Sequence, residues 1–370
     1  MGHTGVAGLQ YDVLPYRDRL PEEASAAWAQ VLDPQAPVFL HPEWLAMAIE
    51  ARAVERGMVV IFRDGSGPRA VVPFQYRTHW SAEISAPLAP DITPFIIAPG
   101  VEEALWPALA EWFRRSPFSL LRLGRYPRER FDLFRRLTEA EGLMPICRQT
   151  ELSMWAALPD SWDGYLKGLS KASRYKVRHA EDKILADFPA AQVSLHQDPA
   201  AGARDVEELI RLSLLRWSGE KRRSFLENPH MAVLLRRFTL WAVEQGWGCV
   251  ATLRIGDRTV AVATGIHVPG QPLAFYHVVG RDPAALPHQY SPGMLLAGRI
   301  IRWAIERGAA RISLGQGSWP YKLVLGGEEC PQWELCIARS ALAARTLAKI
   351  DPAIRLMHLH AVRLLGRTGR

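Results

Sequence analysis

The densest grouping of residues able to do chemistry is the run LGQGSWPYKLVLGG, from Leu314 to Gly327. Gly315 and Gly317 follow a strand-like segment and permit positive φ or close approach of the backbone to a ligand. Tyr321 and Lys322 come directly after Pro320, and the GGEE turn that follows offers Glu328 as a carboxylate base. Upstream, LAFYHVVG (Leu273 to Gly280) reads as a strand, so Phe275, His277 and Val279 share one face while Tyr276 and Val278 share the other. A neutral imidazole suits the removal of a proton from an amine or hydroxyl near pH 7. His277 is therefore a candidate base, with His267 on the preceding strand as its competitor and Tyr276 as a substrate contact on the opposite face.

The loop from Arg281 to Gly293 runs into a helix that Ser291 can cap and in which Pro292 fits the first position. First-turn N–H groups and the helix dipole together favour a phosphate, which makes Ser291, Gly293 and Met294 donor-pocket candidates alongside Gly315 and Gly317. From Lys167 to Lys183 the chain carries Lys167, Lys171, Arg174, Lys176, Arg178 and Lys183, with acids only at Glu181 and Asp182. On a helix Lys171, Arg174 and Arg178 share a face, and Arg174 and Arg178 are expected on the acceptor side, holding phosphates of a nucleotide-linked acceptor or of tRNA. A second basic knot spans Arg216 to Arg223 and contains Trp217, placed either to stack on a base or to plug the core. No Gly-x-Ser-x-Gly elbow is visible, so direct attack without a covalent enzyme intermediate is expected.

Composition sets the surroundings. A net charge of +7 and a pI near 9.4 favour anionic partners such as nucleotide phosphates, acidic glycans, tRNA or an anionic membrane face. The four cysteines, Cys147, Cys249, Cys330 and Cys336, have neither disulfide nor zinc spacing and read as reduced core thiols; no metal is expected. The first residues lack a basic segment followed by an apolar run, and no apolar stretch of about 18 residues occurs. A cytoplasmic protein is expected; the tail, where Arg345, Lys349, Arg355, Arg363, Arg367 and Arg370 face only Asp351, reads either as a solvated helical extension or as a peripheral contact with the inner membrane face.

The elements that must position these residues alternate strand and helix twice over, the grammar of an α/β protein. In the first half a helix over 42–56 precedes a hairpin of 58–62 and 69–76, then a helix over EEALWPALAEWFRRS, a strand over 118–124 and a helix over 129–141. In the second half helices over 201–217 and 229–245 precede strands 248–255, 259–268 and 273–280. The helix from Ser291 to Gly308 presents Leu296, Ile300, Trp303 and Arg307 on one stripe and Ala297, Ile301, Ala304 and Ile305 beside it. The strand 311–315 closes the series.

The segments YSPGMLL from Tyr290, ISLGQGSWPYKL from Ile312, WDGYLKGLSKASRYKVR from Trp162, and FLHPEWLAMAIE followed by VVPF (Val71 to Phe74) resemble predicted acyltransferases of the Fem-like and cellulose-biosynthesis (CelD-like) branch of the GNAT superfamily. The resemblance spans roughly residues 35–340. It implies a tandem double GNAT-like fold of mixed, mostly antiparallel sheets flanked by helices. Its units would lie at 1–155 and 156–340, with the transfer chemistry mainly in the second and a basic helical tail at 341–370. It further implies that a lysine after an aromatic residue, here Lys322 after Tyr321, lies near the reacting acyl group, and that the helix at Ser291 grips the pyrophosphate of coenzyme A. The usual Gly-rich signature (Gln/Arg-x-x-Gly-x-Gly/Ala) is absent from HQYSPGML, which holds Gly293 alone. Three functions stay open: transfer from acyl-coenzyme A to an amine or sugar hydroxyl of a polysaccharide or metabolite precursor, transfer from aminoacyl-tRNA, and a non-catalytic adaptor of an envelope polysaccharide assembly complex.

Overall fold

The computed structural model describes residues 3–4, 8–33, 36–84, 92–150, 152–217, 224–286, 290–342 and 344. Most of the expected tail, and residues 218–223 of the second basic knot, lie outside them. In chain order the first half runs β1 (His3–Thr4), β2 (Gln10–Tyr16), α1 (Glu22–Val31), α2 (Pro42–Glu50), β3 (Gly57–Asp64), β4 (Gly67–Thr78), β5 (Ser81–Glu83), β6 (Ile96–Ile97), α3 (Glu102–Arg115), β7 (Leu120–Tyr126), α4 (Arg128–Ala140) and β8 (Met144–Gln149). The second half runs β9 (Ser153–Ala157), α5 (Trp162–Gly168), α6 (Lys171–Asp187), β10 (Ala191–His196), α7 (Pro199–Trp217), α8 (Pro229–Glu244), β11 (Gly248–Ile255), β12 (Arg258–His267), β13 (Leu273–Arg281), α9 (Pro292–Glu306), β14 (Arg311–Gln316), α10 (Pro320–Val324), β15 (Glu328–Cys330) and β16 (Trp333–Ala338).

The strands form two sheets, β1-β2-β3-β4-β5-β7-β16-β8, with β6 on β4, and β10-β11-β12-β13-β14-β9-β15. Among the described residues every pairing is antiparallel except β5 with β7 and β13 with β14. In both sheets the parallel step follows an antiparallel meander and a helix, α3 or α9, so the same arrangement occurs twice. The expected tandem architecture is present. Sheet membership does not follow the cut at 155/156: β9 spans it and belongs wholly to the second sheet, while β16 pairs between β7 and β8 in the first.

Local signals account for much of this. α3 carries Glu102 and Glu103 in its first turn and Arg114 and Arg115 in its last, both favourable to the helix dipole. Both predicted stripes of α9 are buried except at Arg307, and Gly308 takes φ 81° just past the helix end. Glycine is required at Gly265 in β12, because a Cβ there would stand 2.6 Å from Ile300 Cγ2 of α9. The helix expected over 42–56 stops at Glu50, where Arg52 turns to φ 56°.

One core lies between the second sheet and α5, α6 and α9; another lies between the first sheet and α3 and α4. A third joins the two halves. Phe39, 1% exposed, stacks on Phe238 of α8 at 5.1 Å and meets Phe275 of β13 edge-on at 5.0 Å. Of the expected core thiols, Cys249 and Cys336 are buried, but Cys147 is exposed and Cys330 half-buried; all four are free. Both departures lie in short strands near a sheet edge, where one face meets solvent. Among the described residues no helix is long and apolar enough to cross a membrane.

Candidate active site

β13 and β14 pair only at Leu273–Arg311, Ala274–Ile312 and Phe275–Ser313, and beyond that point they separate. Two bulges drive them apart. On β13 the register against β12 steps from Val279–Ala263 to Tyr276–Gly265, three residues against two, and the Val278 N–H donates instead to Thr264 Oγ1 at 3.2 Å. On β14 the register against β9 steps from Ser313–Trp155 to Gln316–Ser153, with Gly315 at φ 75°. The gap leaves main-chain edges of both strands facing a cleft, where a ligand can meet their hydrogen-bonding groups.

Lys322 holds this geometry in place. It lies in α10, a short helix where a hairpin could have formed, and is 3% exposed. Its Nζ donates to Gly315 O at 2.9 Å and to Gln316 O at 2.6 Å, so it engages the carbonyls that the bulge in β14 withdraws from the sheet.

Two cavities flank the splay. One, of about 970 Å³, is lined on the α6 and α9 side by residues including Tyr175, Lys176, His179, Lys183, Arg281 and Ser291 to Met294. The other, of about 740 Å³, is lined on the α7 side by Ser213, Ser224, Phe225, His277, Gly315 to Ser318 and Lys322. Arg216, Tyr276, Val279, Trp319 and Tyr321 line both, so the cavities share a wall at the throat. Burial pushes the Tyr321 phenol up to about 12, eased by the nearby Arg216 guanidinium. Tyr276 is raised by burial and by Tyr321, and its hydroxyl donates to Gly293 O at 3.2 Å. Both phenols keep their protons at neutral pH.

The sequence candidates are thus sorted. Ser291, Gly293, Met294, Gly315, Gly317, Tyr276, His277, Tyr321 and Lys322 all line one cavity or the other. His277 and Tyr276 do face opposite ways: the imidazole lies 5.3 Å from Phe39 and 5.8 Å from Phe238, ring centre to ring centre. His267 is a core residue, its Nε2 2.8 Å from Gln271 O and its basicity lowered by burial. Glu328 is exposed on β15 and lines neither cavity, because its strand pairs with β9 on the far side of β14. Trp217 ends α7, and its side chain lies outside the described residues.

Two expectations are corrected. Ser291 does not cap α9 through its side chain; it takes φ 44°, ψ 58°, a left-handed conformation uncommon outside glycine. Arg174 and Arg178 line neither cavity. The Arg174 guanidinium turns back to Lys167 O and Leu169 O at 3.0 and 3.1 Å, satisfying carbonyls at the end of α5, and Arg178 points to solvent. The face of α6 that meets the cavity is Tyr175, Lys176, His179 and Lys183 instead. The sequence does carry a signal for this: Val177 and Ile184, seven apart, are the buried apolar positions of α6, and cavity residues flank that stripe. Arg216 was visible only as part of a basic knot.

Residues 171–323, which contain α6, the splay and Lys322, match the family described as "Acetyltransferase (GNAT) domain". This segment of the chain is similar to a GNAT domain. That family is one of acyltransferases, and the match ends within α10. Over most of the chain, the fold is similar to that of FemX (TM-score 0.59, 8% identity, 87% of this chain and 96% of that one). It is also similar to the C-terminal domain of a putative lysylphosphatidylglycerol synthetase from Agrobacterium fabrum (0.55, 13%, 89% and 96%) and to L-PGS from Bacillus licheniformis (0.54, 11%, 90% and 96%). At these identities the likeness concerns the fold. No curated protein matches the sequence.

Proposed function

We propose that the chain transfers an acyl group from acyl-coenzyme A to an amine or hydroxyl of a small polar acceptor such as a glycan or metabolite precursor. The observation that carries this reading is the shared wall of the two cavities at the β13–β14 splay, which lets a donor and an acceptor meet there from opposite sides. Donor phosphates suit the larger cavity, where the first turn of α9 is flanked by Lys176, Lys183 and Arg281. The acceptor then occupies the smaller one. Its nucleophile attacks the acyl carbon, the carbon–sulfur bond breaks, His277 takes the nucleophile's proton and the Tyr321 phenol returns one to the leaving thiolate. Each such transfer contributes roughly 10²–10⁴-fold. A cleft filled by side chains beside Gly315 and Lys322 would suit an adaptor; a cavity of about 740 Å³ there supports an enzyme.

Aminoacyl-tRNA is the second reading of the donor, favoured by the single glycine of the α9 first turn and the cations on α6. Thermal-shift titration with acetyl-, long-chain acyl- and free coenzyme A tests the first reading. Ser291→Asp provides the control, since aspartate tolerates left-handed φ yet sets a carboxylate against the phosphates, and Ser291→Asn keeps the shape without the charge. Stabilisation by the coenzyme A series, lost in the aspartate variant and kept in the asparagine one, is expected. Equal stabilisation of all three proteins would put the donor elsewhere, and none at all would favour the tRNA donor.

A further inference from the structure

We infer that Thr264 is a positioning residue for the transfer: its hydroxyl stands in for a main-chain acceptor and so fixes which side chains of β13 face which cavity. This rests on the acyl-transfer reading, although Thr264 itself lines neither cavity. The bulge in β13 sets Thr264 of β12 opposite two residues, His277 and Val278, where regular pairing gives each residue one partner. The extra residue brings an extra N–H into the interior, and a buried N–H needs an acceptor. Thr264 supplies it from its side chain: Oγ1 accepts from the Val278 N–H at 3.2 Å, and the residue is 0% exposed. A valine would fill the same space and offer nothing to that N–H.

The side chains of β13 show what the bulge does. Unbroken alternation puts His277 with Val279 and Tyr276 with Val278, as the sequence led one to expect. Instead Ala274, Tyr276 and Val279 pack with the core of α5, α6 and α9, while Val278 packs with Val206, Leu209 and Leu212 of α7. The His277 ring lies against Phe238 of α8, and α8 packs on α7, so His277 and Val278 stand side by side on one face. The phase of the strand changes between them. Before the change lie Tyr276 and the candidate base; after it lies Val279, which lines both cavities at their shared wall. A slip of one residue sends every side chain beyond it to the other face. Without the hydroxyl, Val279 turns from α9 towards α7 and the wall between donor and acceptor changes shape.

The test compares the full native chain with Thr264→Val, which exchanges the hydroxyl for a methyl group, and with Thr264→Ser, which keeps it. Thr264→Ala removes the same acceptor and serves if the valine variant does not fold. Thiol release from acetyl-coenzyme A is followed with a panel of amino sugars and α-amino acids. We expect kcat to fall about tenfold or more in the valine variant and to return in the serine one, with KM for acetyl-coenzyme A held within about twofold. A kcat that survives Thr264→Val, or that falls equally in Thr264→Ser, would overturn the inference and leave acyl transfer standing. Exchange of the Val278 amide proton, referred to the amides of β11, follows the same lock without any substrate. It should quicken about tenfold or more in the valine variant alone, and equal exchange in all three proteins would also overturn the inference. If the native protein releases no thiol with any acceptor, the acyl-transfer reading fails instead, and the exchange measurement still decides whether Thr264 holds the bulge.

Discussion

Lys322 joins two requirements in one side chain. Its Nζ holds Gly315 O and Gln316 O, which keeps β14 bulged, and it lines the cavity in which an oxyanion would form. Charge that appears only on the way to the transition state rewards a donor already in place. Lys322→Ala is expected to lower kcat by roughly 10²–10³-fold with donor affinity little changed. It should also cost about 1–3 kcal/mol of stability through the carbonyls it abandons. Steady-state kinetics and a melting curve separate the two effects, and an unchanged kcat would leave Lys322 with the structural role alone. At this scale the sequence was informative where chemistry is local: Tyr321 and Lys322 lie within a few residues of the glycines they serve. It misled at Ser291. There the preceding Tyr290 is fixed by tertiary contacts, its hydroxyl donating to Asp187 Oδ2 at 2.8 Å and its ring under Lys183, so the chain enters α9 in a conformation that local capping preferences do not set.

Among the elements, α9 and strands β11 to β14 were legible because each carries its own periodicity and its own turn. Helix α6 was legible as a helix but not in its orientation; the most basic stripe drew attention, while two apolar residues decided which way it faces. The bulges could not be read at all, since a register step is a relation between two strands. The contact of α7 with β13 makes the point testable. At Gly280 an added Cβ would meet Leu209 O at 2.6 Å and Ser213 N at 2.8 Å, both backbone atoms that cannot swing aside. Gly280→Ala should therefore push α7 outward, costing about 1–3 kcal/mol, and shift Ser213 and Arg216 with it. A melting curve and acceptor KM should both move; a change in stability with KM unaffected would mean that α7 does not set the acceptor cavity.

For the whole molecule, the third core ties the halves to each other and to the site. Phe39, from the first half, touches Phe238, Phe275 and the ring of His277. Phe39→Ala is expected to destabilise the protein by about 3–5 kcal/mol in a single transition, with kcat reduced because His277 loses the ring it rests on. Two separate transitions in calorimetry would mean that the halves melt independently. The repeated α/β grammar foretold the tandem sheets, but nothing in it pointed to the strand exchanged between them, because β16 reads like any short apolar strand.

That exchange bears on how the protein is made. As the chain leaves the ribosome, β7 and β8 emerge without the strand that lies between them, which is synthesised only after every strand of the second sheet, and β9 must wait for β14. Domains ordinarily fold in turn as they appear. Here the early-made half keeps open edges until β16 emerges, and unpaired edges recruit other chains. Closing the first sheet thus waits on the second, so a chain stalled before β14 leaves behind two unfinished sheets rather than one finished domain and a stub.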